Sequence, residues 1–334
     1  MDAVLKFIDK QFLPVGLITV ALVGLLFPAP GRFMGTLPTQ HVAVSIIFIC
    51  AGLRLRTDEV AAALSAWRAT AWGTLSILFI TPIIGTAIAF QLPLDPSFQM
   101  GLALFFCMPT TLSSGIALTG QARGNVALAL LLTVLTNIVG IFTVPFVLAQ
   151  LLQTIGRIEL SALDLLLKLC LSILIPLAAG KFLRRFVKEW VDGNRGKIGL
   201  ASNLALISVP WMKFSQASDR LAEVAPLSLL LLVISGLVVH LLYLLLNDGG
   251  SRLLRLPLGA RKAVVLSASQ KTLPVALTVL AFLPESAGVK GLIAIPCITS
   301  HLGRFSWTQF WRLAGGTTPP DAPRRQLMPG GGRI

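Results

Sequence analysis

The stretch that decides the fold is Val264–Leu283, VVLSASQKTLPVALTVLAFL. Both ends are apolar, and the polar residues in its middle are Ser267, Ser269, Gln270, Lys271 and Thr272. A lysine inside a hydrophobic segment is costly in a bilayer and usually faces the protein interior or a water-filled cavity. Pro274 has no backbone N–H and clashes with the preceding turn, so we expect the helix to break just before it. Broken helices at membrane depth are buried in protein or line a cavity. The stretch therefore predicts a solute-binding site in an integral membrane protein.

The composition is that of a membrane protein. Of the 334 residues, 55% are hydrophobic and 13% are charged, whereas soluble domains carry about 25% charged residues. This excludes a soluble enzyme. The net charge of +14 does not indicate nucleic-acid binding, because Lys and Arg accumulate in the cytoplasmic loops of membrane proteins. No cleavable signal peptide is expected, because the first residues, MDAVLKFIDKQF, have no apolar core.

Ten apolar segments approach the length of about 20 residues that a membrane span needs. They lie at 12–28, 41–55, 68–91, 99–120, 125–152, 161–183, 197–214, 225–246, 263–283 and 287–311. Lys and Arg are concentrated after every second span and in the tail, and are sparse in the other loops. Both termini are therefore expected in the cytoplasm. The tail at 315–334 is rich in Pro, Gly and Arg and is expected to be disordered.

Ten spans with both termini on one side allow two inverted repeats of five spans, here residues 1–157 and 158–314. Span nine is then the fourth span of the second repeat. The corresponding span four, GLALFFCMPTTLSSGIALTGQA, is also interrupted, by Pro109 and the hydroxyl residues Thr110, Thr111, Ser113 and Ser114. Two broken polar helices in corresponding positions predict a binding site where they cross. Helix N-termini can face an anion there, and freed carbonyl groups can hold a cation.

The polar residues of the two breaks also have structural explanations. Ser113 and Ser114 can bond back to their own helix. Gln270 can form a hydrogen bond between helices. Lys271 can extend its ammonium group to the membrane interface. For each of these residues we prefer a role in the site, because two similar breaks occur in corresponding positions.

The fifth span has one polar face. Thr133, Thr136 and Asn137 recur on it at intervals of three and four residues, which places them on one side of a helix. We expect this side to look toward the crossing. Asn125, just before the span, has two equal interpretations, a helix cap and a site residue.

Four segments together carry a family resemblance. They are Ala51–Leu55 with Thr57-Asp58-Glu59, Cys107-Met108-Pro109 leading to Ser113-Ser114, Gly124-Asn125 leading to Ala127 and Ala129, and Ser269–Leu273. In this order and spacing they resemble the bile acid:sodium symporter superfamily, in particular its SBF-like branch, that of solute carrier family 10 member seven. The resemblance covers most of the chain. It implies an all-α fold of ten helices, with a panel domain (spans one, two, six and seven) and a core domain (spans three to five and eight to ten).

The resemblance also implies a function and a set of ligands. Members of the superfamily typically couple sodium entry to the uptake of an organic anion. By position, the implied sodium ligands are Ser113, Ser114, Asn125, Thr133 and Gln270.

The sequence departs from the superfamily pattern in the ninth span. Symporters of the superfamily carry a glutamate that serves sodium a few residues before the glutamine, but Leu266–Ser269 contain no carboxylate and Lys271 follows Gln270. An ammonium group repels sodium and can occupy the same volume, at a cost of several kcal/mol for like charges about 4 Å apart in a low dielectric. Two alternatives remain open. Lys271 titrates and couples transport to protons, or it is a fixed internal cation that replaces one sodium and binds an anionic substrate.

We therefore expect a secondary active transporter in the inner (plasma) membrane that moves a small organic anion by alternating access, coupled to sodium or to protons. The expected binding residues are Ser113, Ser114, Asn125, Thr133, Gln270, Lys271 and Thr272, with Pro109 and Pro274 at the helix breaks. The alternative is a membrane regulator that does not transport and acts through partners on cation or calcium handling. No catalytic motif is present, so no enzyme and no cofactor other than a sodium ion are expected. The expected partners are the lipid bilayer and the substrate; both a monomer and a homodimer remain open.

Overall fold

The computed structural model describes residues 12–55, 66–111, 114–154 and 160–315. All regular secondary structure in these residues is helical, as predicted. The α-helices, numbered along the chain, are α1 Phe12–Leu26, α2 Pro28–Thr36, α3 Thr39–Arg54, α4 Trp67–Gln91, α5 Pro96–Phe106, α6 Ser114–Gln121, α7 Val126–Thr154, α8 Ala162–Gly193, α9 Arg195–Ala222, α10 Pro226–Leu253, α11 Leu258–Ser269, α12 Leu273–Phe282 and α13 Lys290–Gly315. The predicted repeat boundary at residue 157 lies outside the described residues. So does the predicted disordered tail, except for Gly315 at the end of α13.

The helix lengths and compositions support a multi-pass membrane protein. Among the described residues, five helices are long and apolar enough to cross a membrane, namely α4, α7, α8, α10 and the broken helix formed by α11 and α12. The pair α1 and α2, bent by 98°, makes a sixth candidate. A helix or broken helix lies at each of the ten predicted segments. The count of ten spans, the inverted repeats and the panel and core domains stay predictions. The prediction missed α2, because its residues are short of apolar side chains.

Prolines and caps determine where several helices begin. The Asp95 carboxylate accepts a hydrogen bond from the Ser97 N–H at 2.7 Å, and Pro96 occupies the first turn of α5. Both are favourable at a helix start, because the first N–H groups have no partner inside the helix. Pro274 occupies the first turn of α12 in the same way. The helix is interrupted just before Pro274, between Ser269 and Leu273.

Two of the long helices contain a π-helical turn close to a proline. Ser76–Ile80 precedes Pro82 in α4, and Cys170–Leu174 precedes Pro176 in α8. In α4 the Thr81 N–H bonds to the Ser76 carbonyl, five residues back. The next bond in that register would run from residue 82 to the Ile77 carbonyl, and a proline cannot donate it. The turn therefore leaves the Ile77 carbonyl available to another donor.

The broken helices lie in the core of the described residues. Most of α12 is buried, and Phe98, Phe105 and Phe106 of α5 are fully buried. Lys271 is itself among the largest fully buried side chains. Close packing of helix backbones contributes elsewhere, since a methyl group at Gly180 of α8 would collide with the Ile49 carbonyl of α3. Small residues allow such approaches in membrane helices.

Candidate functional site

The two helix breaks contact each other through hydrogen bonds. The Thr272 N–H donates to the Pro109 carbonyl at 3.0 Å, and the Thr110 hydroxyl donates to the Ser267 carbonyl at 2.6 Å. Gln270 and Thr272 have extended backbone conformations between α11 and α12. The break before α12 and the break after α5 therefore lie against each other.

A third element, α7, is tied to the same place by Asn137. Its amide nitrogen donates to the Thr110 carbonyl at 2.9 Å and to the Thr133 carbonyl at 2.8 Å. The polar face predicted for this helix does look toward the breaks. Asn137 was absent from the expected binding residues, although its spacing of four from Thr133 already placed it on that face. In the structure, Asn137 is the residue of this face that bonds directly to the break in the fourth span.

Several polar side-chain atoms at the meeting point are buried and have no hydrogen-bond partner among the described residues. They are Ser114 Oγ, Asn137 Oδ1, Ser267 Oγ, Gln270 Nε2 and Thr272 Oγ1. Thr272 stands at the start of α12, where its hydroxyl would ordinarily cap the helix, but it makes no such bond. A buried polar group without a partner costs about 1–3 kcal/mol. Such a cluster is typical of a site that binds water, an ion or a solute.

Four helix ends converge on these atoms. Helices α5 and α11 end at the two breaks, and α6 and α12 begin there. Helix N-termini carry partial positive charge and C-termini partial negative charge. The arrangement can therefore accommodate an anion on one side and a cation on the other, which is the pattern of broken-helix sites in transporters.

Lys271 belongs to the break by its backbone, but its ammonium group reaches α4. The side chain is 1% exposed. Its Nζ lies 2.9 Å from the Ile77 carbonyl oxygen and 2.9 Å from the Thr81 hydroxyl oxygen, and 5.9 Å from the centre of the Tyr243 ring. The carbonyl is the one that the π-helical turn leaves available. The alternative in which Lys271 extends to the interface is wrong, because the side chain is buried.

A buried polar network continues from Lys271 into α10. Tyr243, the only tyrosine of the chain, donates its hydroxyl to the Thr81 carbonyl at 2.5 Å. The Ser76 hydroxyl lies 2.6 Å from Asn247 Oδ1, and Asn247 donates to the Tyr243 carbonyl at 2.8 Å. Sequence reasoning missed this network. Its signals were a lone tyrosine in a predicted span and a proline at position 82.

The remaining expected residues lie elsewhere or bond locally. Asn125 Oδ1 accepts a hydrogen bond from the Leu128 N–H at 3.0 Å, which is the capping role. Thr133 donates its hydroxyl to the Ala129 carbonyl of its own helix at 2.8 Å. Asn125 and Thr133 are eight positions apart, or about 12 Å along a helix, so their side chains do not meet at one ion. Ser113 lies outside the described residues. His240, in α10, contacts the Ser269 carbonyl at 3.1 Å beside the break.

The known proteins that are similar to this chain are all named as transporters, symporters or cotransporters in the comparisons that follow. The model of the SBF-like CPA transporter family matches residues 11–309. The probable sodium/metabolite cotransporter BASS4, chloroplastic, of Oryza sativa subsp. indica is 36% identical over 316 residues, which cover 90% of this chain and 74% of that protein. The putative symporter YfeH of Escherichia coli (strain K12) is 27% identical over 290 residues, covering 85% and 86% of the two chains. Sodium/bile acid cotransporter 7-B of Xenopus laevis is 24% identical over 307 residues, which are 89% of each chain.

Proposed function

This chain belongs to the SBF-like CPA transporter family of the bile acid:sodium symporter superfamily, and on that premise we propose that it is a secondary active transporter. It couples the entry of sodium to the movement of a small organic anion across the inner membrane. The family is one of transporters rather than enzymes. The names of the relatives include sodium/metabolite cotransporter and sodium/bile acid cotransporter, which supports sodium as the coupling ion here.

The observation that carries the proposal is the cluster of buried oxygen atoms without partners at the contact between the two breaks. Ser114 Oγ, Asn137 Oδ1 and Thr272 Oγ1 are hard oxygen donors from three different helices. Hard cations are bound by such oxygen atoms, and helix C-termini add carbonyl oxygens in transporters with broken helices. We assign sodium to the oxygen atoms of these three residues. Gln270 and Ser113 stay candidates by their positions in the family resemblance, whereas Asn125 caps α7 and Thr133 bonds within that helix.

The anion binds on the opposite side of the same contact. The N-terminal ends of α6 and α12 both lie at this contact, and their partial positive charges favour an anionic group. The positive charge of Lys271 adds to this field. Because its ammonium donates to a carbonyl and to a hydroxyl of α4, the geometry supports the fixed-cation alternative over proton coupling. In this scheme, the helices of the core domain move against the panel domain and expose the site to each side of the membrane in turn.

Uptake by purified protein in sealed vesicles tests the proposal. A sodium gradient and a pH gradient are imposed separately, and a panel of small mono- and dicarboxylates is offered as labelled substrates. We expect saturable uptake with the sodium gradient and none with the pH gradient alone. Lys271→Ala, tested in parallel, is expected to abolish uptake; uptake at the wild-type rate would remove Lys271 from the mechanism.

Thermal stability of the purified protein in sodium and in choline, at several pH values, separates the alternatives. A ligand that binds the folded state raises its stability by mass action, so sodium but not choline is expected to raise the unfolding temperature. A shift with pH that disappears in Lys271→Ala would instead identify proton coupling. A protein that responds to neither ion and transports none of the anions would favour the membrane regulator.

A further inference from the structure

Helix α8 is longer than the membrane interior. It extends over Ala162–Gly193, 32 residues with a kink at Val187, and the 25 residues before the kink alone are about 38 Å long at 1.5 Å per residue. The hydrocarbon core of a bilayer is about 30 Å thick. About ten residues at one end therefore reach the headgroup region or beyond, even if the helix is tilted. Because the predicted sixth span ends at 183, the end that leaves the hydrocarbon is the C-terminal one.

The C-terminal end of α8 carries a row of exposed aromatic side chains. Phe182, Phe186 and Trp190 follow one another at intervals of four residues and are 56%, 72% and 58% exposed. The Phe182 and Phe186 rings contact each other edge to face, with their centres 5.3 Å apart. Aromatic side chains at the depth of the headgroups are typical anchors at the membrane interface. The row is therefore placed to insert into the boundary between headgroups and acyl chains.

Two basic side chains lie exposed beside this row. Arg185 and Lys188 are both exposed, and the Arg185 guanidinium carbon lies 5.9 Å from the centre of the Phe182 ring. Residues 181–190 contain four basic residues and one acidic residue, the exposed Glu189, so the segment is net positive. An aromatic row with adjacent basic side chains has the charge and polarity that match an anionic lipid surface.

The other two basic residues of the segment face the protein. Lys181 Nζ donates to the Leu55 carbonyl at 3.0 Å. Arg184 donates to the Leu53 carbonyl and to the Asp192 carboxylate. These bonds hold α8 against the end of α3 and fix its rotation about its own axis. The backbone at Val187, with φ −126° and ψ 29°, departs from helical geometry and kinks the helix inside the exposed row, between Phe186 and Trp190.

We propose that the segment Phe182–Trp190 is a membrane-interface anchor that binds the headgroup phosphate of an anionic phospholipid through Arg185 and Lys188. The aromatic row inserts below the phosphate, and Lys181 and Arg184 hold the segment in this orientation. The proposal needs only that the chain is embedded in a membrane. It does not rest on sodium coupling or on the nature of the transported substrate.

Lipid titration tests the anchor. Wild type, Arg185→Gln/Lys188→Gln and the control Lys168→Gln/Arg220→Gln are purified in a neutral detergent and titrated with short-chain phosphatidylglycerol and phosphatidylcholine. The control removes two basic charges outside the segment, the half-buried Lys168 near the N-terminal end of α8 and the exposed Arg220 near the C-terminal end of α9. We expect the Arg185/Lys188 variant to bind phosphatidylglycerol about 25-fold more weakly, because each basic residue near an anionic surface contributes roughly fivefold. Binding of phosphatidylcholine should change little, and the control should resemble wild type.

A second variant and a second readout keep the outcome decisive. Phe186→Ala should weaken the binding of both lipids equally, because it removes apolar contact and no charge. Unfolding temperatures in phosphatidylcholine vesicles should be alike for all variants, since the substituted side chains are exposed. An unchanged preference for phosphatidylglycerol in Arg185→Gln/Lys188→Gln, or an equal loss in the control, overturns the proposal. A change from dimer to monomer in that variant would show instead that a second copy covers the segment.

Discussion

The ammonium nitrogen of Lys271 lies 2.9 Å from the hydroxyl oxygen of Thr81, 190 positions earlier in the chain. The same nitrogen reaches the Ile77 carbonyl, which loses its helical donor because Pro82 follows in the π-helical register. The helix break that contains Lys271 and the π-helical turn of α4 are therefore joined by hydrogen bonds. The ammonium group finds a buried acceptor, and the carbonyl finds a donor. The lysine at the break stabilises a neighbouring helix as well as supplying positive charge.

The contact between Lys271 and Thr81 predicts energetic coupling. In a double-mutant cycle of Lys271→Met and Thr81→Val, we expect the two losses of unfolding free energy to be non-additive by about 1 kcal/mol or more, as for other residues in direct contact. Reversible unfolding in mixed detergent micelles provides the measurement. Thr278→Val, which removes a hydroxyl bonded only within α12, should be additive with Lys271→Met. Simple additivity of the Thr81 pair would refute the coupling.

Gly85 makes room for Tyr243. A methyl group at this position would collide with the Tyr243 hydroxyl oxygen and with Phe106. We expect Gly85→Ala to lower stability by about 1–3 kcal/mol, the usual effect of overpacking, and to break the bond from Tyr243 to Thr81. Gly249→Ala is the matched control, because Gly249 lies in α10 with nothing within 4 Å of the added methyl group. That change should leave stability equal or raise it by about 0.5–1 kcal/mol. The thermal midpoint should therefore fall in Gly85→Ala and stay unchanged or rise in Gly249→Ala.

Asn137 is expected to be essential because it donates to the break in the fourth span. Asn137→Asp replaces the donor with an acceptor that faces the Thr110 and Thr133 carbonyls. Transport of the substrate should fall at least tenfold, since leaving a buried charge beside two acceptors costs more than the roughly 1.4 kcal/mol that a factor of ten represents. Gln153→Glu places the same change on an exposed position of the same helix and should transport normally. Equal uptake by Asn137→Asp and wild type would exclude Asn137 from the site.

The hydroxyls of Ser114 and Thr272 are expected to bind sodium rather than to stabilise the fold. Both oxygens are buried without a partner among the described residues, so removing them should leave the stability in choline unchanged or raise it by up to about 1–3 kcal/mol. Stabilisation by sodium should shrink in Ser114→Ala and in Thr272→Val, because the ion loses a ligand.

Thr278→Val controls for the loss of a buried threonine hydroxyl in α12, since the Thr278 hydroxyl is already bonded to the Pro274 carbonyl at 2.8 Å. Its sodium response should equal that of wild type. The measurement is the unfolding temperature over a sodium titration at constant ionic strength. A large loss of stability in choline with an intact sodium response would assign the two hydroxyls to folding instead.

Much of the architecture follows from local chemistry and was predictable. The apolar runs predicted an all-helical membrane protein, and Pro109 and Pro274 predicted two breaks, because proline acts on the helix that contains it. The pairing of these breaks followed from their corresponding positions. The spacing of Thr133 and Asn137 predicted the polar face of α7. Apart from that pairing, these inferences use only residues that are near one another in the chain.

The hydrogen-bond partner of each polar side chain could not be predicted in the same way. Asn125 had two equal interpretations, and the contact with the Leu128 N–H assigns it to a helix cap. Ser267 and Thr110 bond across the breaks although they are 157 positions apart. No spacing rule connects such residues, because their approach depends on how several helices pack together.

The sequence by itself determined that this chain is a helical membrane protein with two polar breaks, since hydrophobic runs and prolines act locally. Only the tertiary structure decided what the buried lysine binds. Lys271 has a flexible side chain that could point to the interface, the breaks or a neighbouring helix. Its direction is set by a carbonyl that a distant proline leaves without a backbone donor in the π-helical register. That carbonyl meets the ammonium only after α4, α10 and the broken helix have packed.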